Sequence, residues 1–162
     1  MLARSGGILC AMTHQNLPVD GACMCGQVKL RVSAPPIMTM ACHCTGCQKL
    51  SASAFSLTAM VPAEAFEVIG ETAIGGLHGE ARYEYCPHCL NWLFTRPAGA
   101  PFVNIRPTMF NVPEWSTPFI ESYVSERLPW ARTAARHSFA KFPDREDYGP
   151  LMAEYASQAS GG

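Results

Sequence analysis

The sequence predicts a mainly β domain with little helix. Three observations carry that expectation. Thirteen prolines and thirteen glycines punctuate the 162 residues too often for long helices. Several short segments alternate apolar and polar side chains with the period of a strand. Turn signals separate those segments: Pro35-Pro36, Pro62, Gly75-Gly76, Gly79, Pro97 to Pro101, Pro107 and Pro113.

Taken in order, residues 1–19 read as a weakly structured leader, and residues 20–156 as one domain. Val28, Leu30 and Val32 alternate with Lys29 and Arg31, which is a half-buried strand. Phe55, Leu57, Ala59 and Val61 alternate in the same way, and so do Tyr83 and Tyr85 on the approach to Cys86. Trp92 to Thr95, Phe102 to Arg106 and Phe119 to Ser125 are further short strands. Ala131 to Lys141 is rich in helix formers behind Pro129, and propensity leaves helix and non-helix evenly balanced there. Residues 157–162 are small and polar and read as a flexible tail.

Composition bounds the function. An apolar fraction of 48% and a charged fraction of 15% fit a compact globule. Net charge is −1 and no basic run exceeds a residue or two, so no nucleic-acid partner is expected. No apolar stretch is long enough for a spanning helix, so no membrane partner is expected either. Ile8 to Met12 is too short for a signal-peptide core. The expected location is therefore cytoplasmic, where close cysteines point to metal or redox chemistry rather than to disulfides.

Seven of the eight cysteines form three groups: Cys23 and Cys25; Cys42, Cys44 and Cys47; Cys86 and Cys89. Cys23 and Cys25 point to one side of an extended strand, and a bend at Gly21 and Gly26 would bring them together. Cys86 and Cys89 flank Pro87-His88 with the spacing of a zinc knuckle. These two pairs make four ligands for a structural zinc. The middle three can share one ion and leave its fourth position free, which suits a thiol substrate or an attacking hydroxide. Gly46 would relax that loop before Cys47. Two alternatives stand beside this reading. The middle group can be a metal-free redox trio, with Cys44 and Cys47 as the dithiol. Alternatively, His43 or His88 completes a closed second site, although His43 is better placed as a donor to a sulfur or a polar group at the site mouth, and His88 as a solvent-facing residue.

Other residues carry weaker signals. Cys10, outside the groups, reads as an incidental thiol, and His14, His78 and His137 have no visible role. Lys29, Arg31 and Lys49 can offset thiolate charge or grip carboxylates, but plain solvation suits them better. Phe55 reads as core, Trp130 as core or pocket wall, and Arg127, Arg132 and Arg136 as solvated.

These motifs resemble the glutathione-dependent formaldehyde-activating enzyme family, which includes centromere protein V-like proteins. The likeness runs through Gly21-Ala22-Cys23-Met24-Cys25-Gly26-Gln27-Val28, Cys42-His43-Cys44-Thr45-Gly46-Cys47-Gln48-Lys49, Ser53-Ala54-Phe55, Tyr85-Cys86-Pro87-His88-Cys89, Trp92-Leu93-Phe94 and Arg127-Leu128-Pro129-Trp130. The resemblance implies a β-tent fold of antiparallel sheets stapled by zinc. It implies a structural zinc on Cys23, Cys25, Cys86 and Cys89, and a catalytic zinc on Cys42, Cys44 and Cys47. It also implies carbon–sulfur lyase-type chemistry on an adduct of glutathione, or a related small thiol, with an aldehyde such as formaldehyde. A non-catalytic zinc-binding interaction module and a thiol redox sensor remain the rival classes. The chain departs from the family at Leu90-Asn91, where Gly-Ser is usual, and at Ser51-Ala52-Ser53, where Ser-Gly-Ser is common.

Overall fold

A computed structural model describes residues 17–76 and 79–159. Cys10, His14 and His78 lie outside the described residues. Among the described residues the chain is β-rich, with two sheets, two α-helices and several short 3-10 turns.

The smaller sheet has three antiparallel strands. β1 (Val19–Ala22) pairs with β2 (Lys29–Val32), and β5 (Phe66–Ile69) pairs with the other edge of β2. β2 shows the expected alternation: Leu30 and Val32 are buried, Lys29 and Arg31 exposed. Gly21 lies inside β1 and makes no bend. A Cβ there would meet the Phe110 ring at 2.6 Å, so the missing side chain lets the strand approach Phe110, to which it is bridged.

The larger sheet is built on β3 (Met38–Cys42) and β4 (Ser56–Pro62), which pair antiparallel. On one side it continues through β9 (Phe102–Ile105), β8 (Trp92–Arg96), β7 (Arg82–Tyr85) and β6 (Ala73–Gly75). On the other it adds β10 (Ile120–Ser122) and β11 (His137–Ser138), both in parallel pairings. All five residues of β3 are buried, so the strand carries no period-two signal. β4 covers the segment read as an alternating strand, but its burial does not alternate: Ser56, Thr58, Ala59, Met60 and Val61 are all buried. A sheet covered on both faces erases the alternation that marks a half-exposed strand.

Two apolar clusters hold the sheets. One joins Leu30, Val32, Phe66, Phe94, Val103, Ile105 and Trp115. The second joins Met38, Met40, Met60, Phe119 and Ile120 to Leu151 and Tyr155 of α2 (Tyr148–Ala159). α2 was not expected from the sequence, and it takes in Ser157 to Ala159 from the proposed tail. Val19, assigned to the leader, opens β1. No helix among the described residues is long and apolar enough to cross a membrane.

The segment Ala131–Lys141 contains no helix. Its polar groups are committed to β10 instead. The Phe139 amide donates to the Glu121 carbonyl at 2.9 Å, and the Arg136 amide to the Phe119 carbonyl at 2.9 Å. The hydroxyls of Thr133 and Ser138 both donate to the Glu121 carboxylate. These tertiary bonds outweigh helix propensity, which amounts to a few tenths of a kcal/mol per residue. Arg127 and Arg136, read from the sequence as solvated, are ion-paired instead, Arg127 with Glu121 and Arg136 with Glu154.

Candidate metal centres

The seven described cysteines are free thiols and gather into two clusters, Cys23, Cys25, Cys86 and Cys89, and Cys42, Cys44 and Cys47. Within each cluster the sulfurs lie within 4.8 Å of one another.

The four-cysteine cluster joins the β1–β2 loop to the β7–β8 turn. In the loop, the Gly26 amide donates to the Cys23 carbonyl at 2.9 Å, and Gly26 has φ of +78°, a left-handed turn that favours glycine. The bend expected from two glycines is thus made by Gly26 alone. The Val28 amide donates to the Cys23 sulfur at 3.3 Å. The knuckle begins at a β-bulge between Glu84 and Tyr85, which turns the chain just before Cys86. The Leu90 amide then closes the turn on the Cys86 carbonyl at 3.0 Å. His88 is exposed, as the sequence suggested.

Leu90 has φ of +59°, in the left-handed region. The glycine usual in the family would adopt that conformation without strain. Asn91, the other departure, links the two halves of the cluster. Its Oδ1 accepts from the Met24 amide at 2.7 Å and lies 3.6 Å from the Cys89 sulfur.

Sulfurs at about 2.3 Å from a tetrahedral zinc stand roughly 3.8 Å apart. The Cys23–Cys25 and Cys25–Cys86 separations are 3.4 and 3.7 Å, so the donor set fits. The thiols also divide their protons unequally. Burial opposes ionisation of Cys23, yet the Val28 amide and the neighbouring thiols bring it to about 6. The Gln27 amide favours ionisation of Cys25, but burial and the surrounding sulfurs push it up to about 12. Crowded sulfurs of this kind ionise together only when a cation offsets their charge.

The three-cysteine cluster spans the end of β3 and the start of α1 (Thr45–Ser51). Its ligands stand at a helix start rather than on the free loop expected around Gly46, which lies within α1. Cys44 is the N-cap, its sulfur accepting the Cys47 amide at 3.3 Å. Cys42 is buried, and Cys44 and Cys47 are partly exposed. The adjacent Cys47 thiol lowers Cys42 to about 5, against burial. Cys47 is raised, by Cys42 first and burial second, and Cys44 is raised chiefly by burial. In effect one thiolate and two thiols crowd a single point, again a donor set that fits a cation.

His43 is not at the mouth of this cluster. It is fully buried, edge-on to Phe55 with 5.2 Å between centroids, and its Nε2 lies 3.0 Å from a Glu121 carboxylate oxygen. Glu121 is itself buried and gathers Arg127, Thr133 and Ser138 as well. Burial would raise its pKa, but the hydrogen bonds from Ser138, Thr133 and His43 and the Arg127 charge hold it below the usual carboxylate range. This hub anchors the backbone between Cys42 and Cys44. Glu121 gave no signal in the sequence, because its partners come from 78 residues upstream and 17 downstream.

A second group missed from the sequence flanks Cys47. The Arg106 guanidinium lies 4.0 Å over the Trp92 ring, with Tyr83 and Tyr85 packed on the same indole. Burial lowers the Arg106 pKa to about 10, so the group is charged at neutral pH. Lys29 and Arg31 are exposed, Arg31 being paired with Asp20, and Trp130 is 72% exposed on a shallow surface depression beside Lys49.

A β-rich chain with two separate thiolate clusters defines a class of metal-binding-capable proteins. Within that class, the description of the glutathione-dependent formaldehyde-activating enzyme family matches residues 18–126. The chain belongs to that family. No curated protein matches its sequence. Among solved structures, a Rhodobacter sphaeroides protein aligns over 57% of this chain and 87% of that one, at 16% identity and a TM-score of 0.46. A likeness at that level bears on neither function nor fold.

Proposed function

We propose that this protein is a carbon–sulfur lyase-type enzyme of the formaldehyde-activating kind. Its substrate is a glutathione–aldehyde adduct, or that of a related small thiol. The observation that carries the reading is the three-sulfur cluster, with Cys44 and Cys47 partly open while the four-cysteine cluster is assembled from two distant turns. Cys42, Cys44 and Cys47 would hold a zinc ion whose chemistry, when bound, would be to keep a substrate thiol ionised at neutral pH. In the forward direction the sulfur adds to the aldehyde carbon, a C–S bond forms, and the proton lost from sulfur ends on the former carbonyl oxygen. Elimination reverses each of these changes.

The chain's own residues orient and enclose. Cys42, Cys44 and Cys47 hold the metal, and the Glu121–His43 pair fixes the strand end that presents them. Cys23, Cys25, Cys86 and Cys89 hold a structural zinc. The same reading includes a β-tent arrangement, a domain over residues 20–156 and a cytoplasmic, reducing setting.

The test is turnover by the zinc-replete protein given glutathione or related thiols with formaldehyde and other aldehydes. Adduct formation by the wild type, abolished in Cys44→Ala with folding intact, is the expected result. Turnover that persists in Cys44→Ala removes the catalytic assignment. Two zinc ions without turnover on any pair would point to an interaction module, and reversible oxidation of Cys44 and Cys47 without metal to a redox sensor.

A further inference from the structure

Arg106 is a cation with no countercharge of its own class. It is only 7% exposed. Among the described residues, the one hydrogen bond from its guanidinium runs from a terminal nitrogen to the Asn104 carbonyl at 3.2 Å, and its Nε is buried without a partner. Among the described residues no carboxylate pairs with it. A guanidinium carries five N–H donors, and leaving them unmet in the interior is costly.

Arg106 also lines a cavity of about 350 Å³. Ser51, Ser53, Phe55, Asn91, Trp92 and Thr108 are among the residues that line it with Arg106. Clefts of this size with converging polar groups are a usual form of small-ligand site. This one backs onto the three-cysteine cluster. Ser56, another wall residue, is the strand partner of Cys42. The Ser51 hydroxyl donates to the Cys47 carbonyl at 2.7 Å.

We infer that Arg106 is the seat for a substrate carboxylate, so that the thiol used at Cys42, Cys44 and Cys47 is an anionic one. The inference rests on the proposed reactivity of that cluster for its second half only. A planar guanidinium, held flat on Trp92, presents the paired donors that match a carboxylate. Neutral thiols would fill the cavity and leave the charge unmet.

Calorimetric titration of the full-length, zinc-replete protein with S-methylglutathione and with its diester tests the seat without any free thiol. The acid is expected to bind at least about tenfold more tightly than the ester, the range set by hydrogen bonds to charged groups. Arg106→Gln should abolish that preference, and Arg106→Lys, which keeps charge but not the paired donors, should retain only part of it. Arg106→Lys decides the assignment if Arg106→Gln does not fold. Equal binding of acid and ester, no binding of the acid at millimolar concentration, or an unchanged preference in Arg106→Lys would overturn the inference. So would loss of metal in the folded variants with the preference intact, since Arg106 would then be a countercharge for the thiolates. Acid preference without turnover sinks the proposed reaction and leaves the seat. Turnover that is equal for mercaptopropionate and its methyl ester sinks the seat and leaves the reaction.

Discussion

Leu90 and Ala52 are the two positions where a family glycine is replaced, and both adopt positive φ, +59° and +48°. An L-residue in that region costs roughly 1–2 kcal/mol, partly returned because glycine is more flexible when unfolded. Leu90→Gly and Ala52→Gly should therefore each raise stability by about 0.5–1 kcal/mol in thermal melts at fixed zinc. Leu90 is 72% exposed, so little apolar burial is lost with it. Glu121 has the opposite character. Removing it strands a buried histidine and a half-buried arginine, and Glu121→Ala should cost roughly 3–5 kcal/mol at neutral pH. Its carboxyl is lowered on folding. Such a group stabilises above its unfolded pKa, about 4.3, and that contribution is lost as pH falls through the folded value. The stability gap between wild type and Glu121→Ala in urea titrations should thus narrow below about pH 4. Comparing the two proteins cancels the acid loss of metal that both share.

At the scale of elements, exposure alone did not decide what was legible: the buried β8 and β10 were read, whereas β1 and β5, open on one face, were not. β2 announced itself by alternation, β9 and β10 fell within the segments marked for them, and β7 and β8 each run one residue beyond theirs. β3 was invisible because both its faces are buried. α1 is seven residues long and starts inside a cysteine motif, so its residues read as ligands before they read as helix. Ala131–Lys141 misled because its composition favours a helix while its hydroxyls and amides serve Glu121. The cysteine groups were legible in full because ligand spacing is a local property, whereas Glu121 and Arg106 depend on register across the sheet. The two clusters should respond differently to loss of a sulfur. The four-cysteine cluster ties the β1–β2 loop to the β7–β8 turn, and binding at such sites contributes about 10–16 kcal/mol, as much as a domain's whole stability. Cys86→Ser should lose its near-ultraviolet circular dichroism and its cooperative melt, while Cys44→Ala keeps both.

Across the whole molecule the larger sheet runs from β11 to β6 and carries both clusters at turns off its strands. One cluster fastens the small sheet to the knuckle. The other sits between β3 and α1, with Arg106 and the Glu121 hub nearby. The central claim is that these are two metal centres with separate duties. The most direct test is metal content by mass spectrometry, for wild type and Cys44→Ala purified with zinc present and then desalted. The predicted result is about two zinc ions per wild-type chain and about one in the folded variant. One zinc ion in both proteins would contradict it.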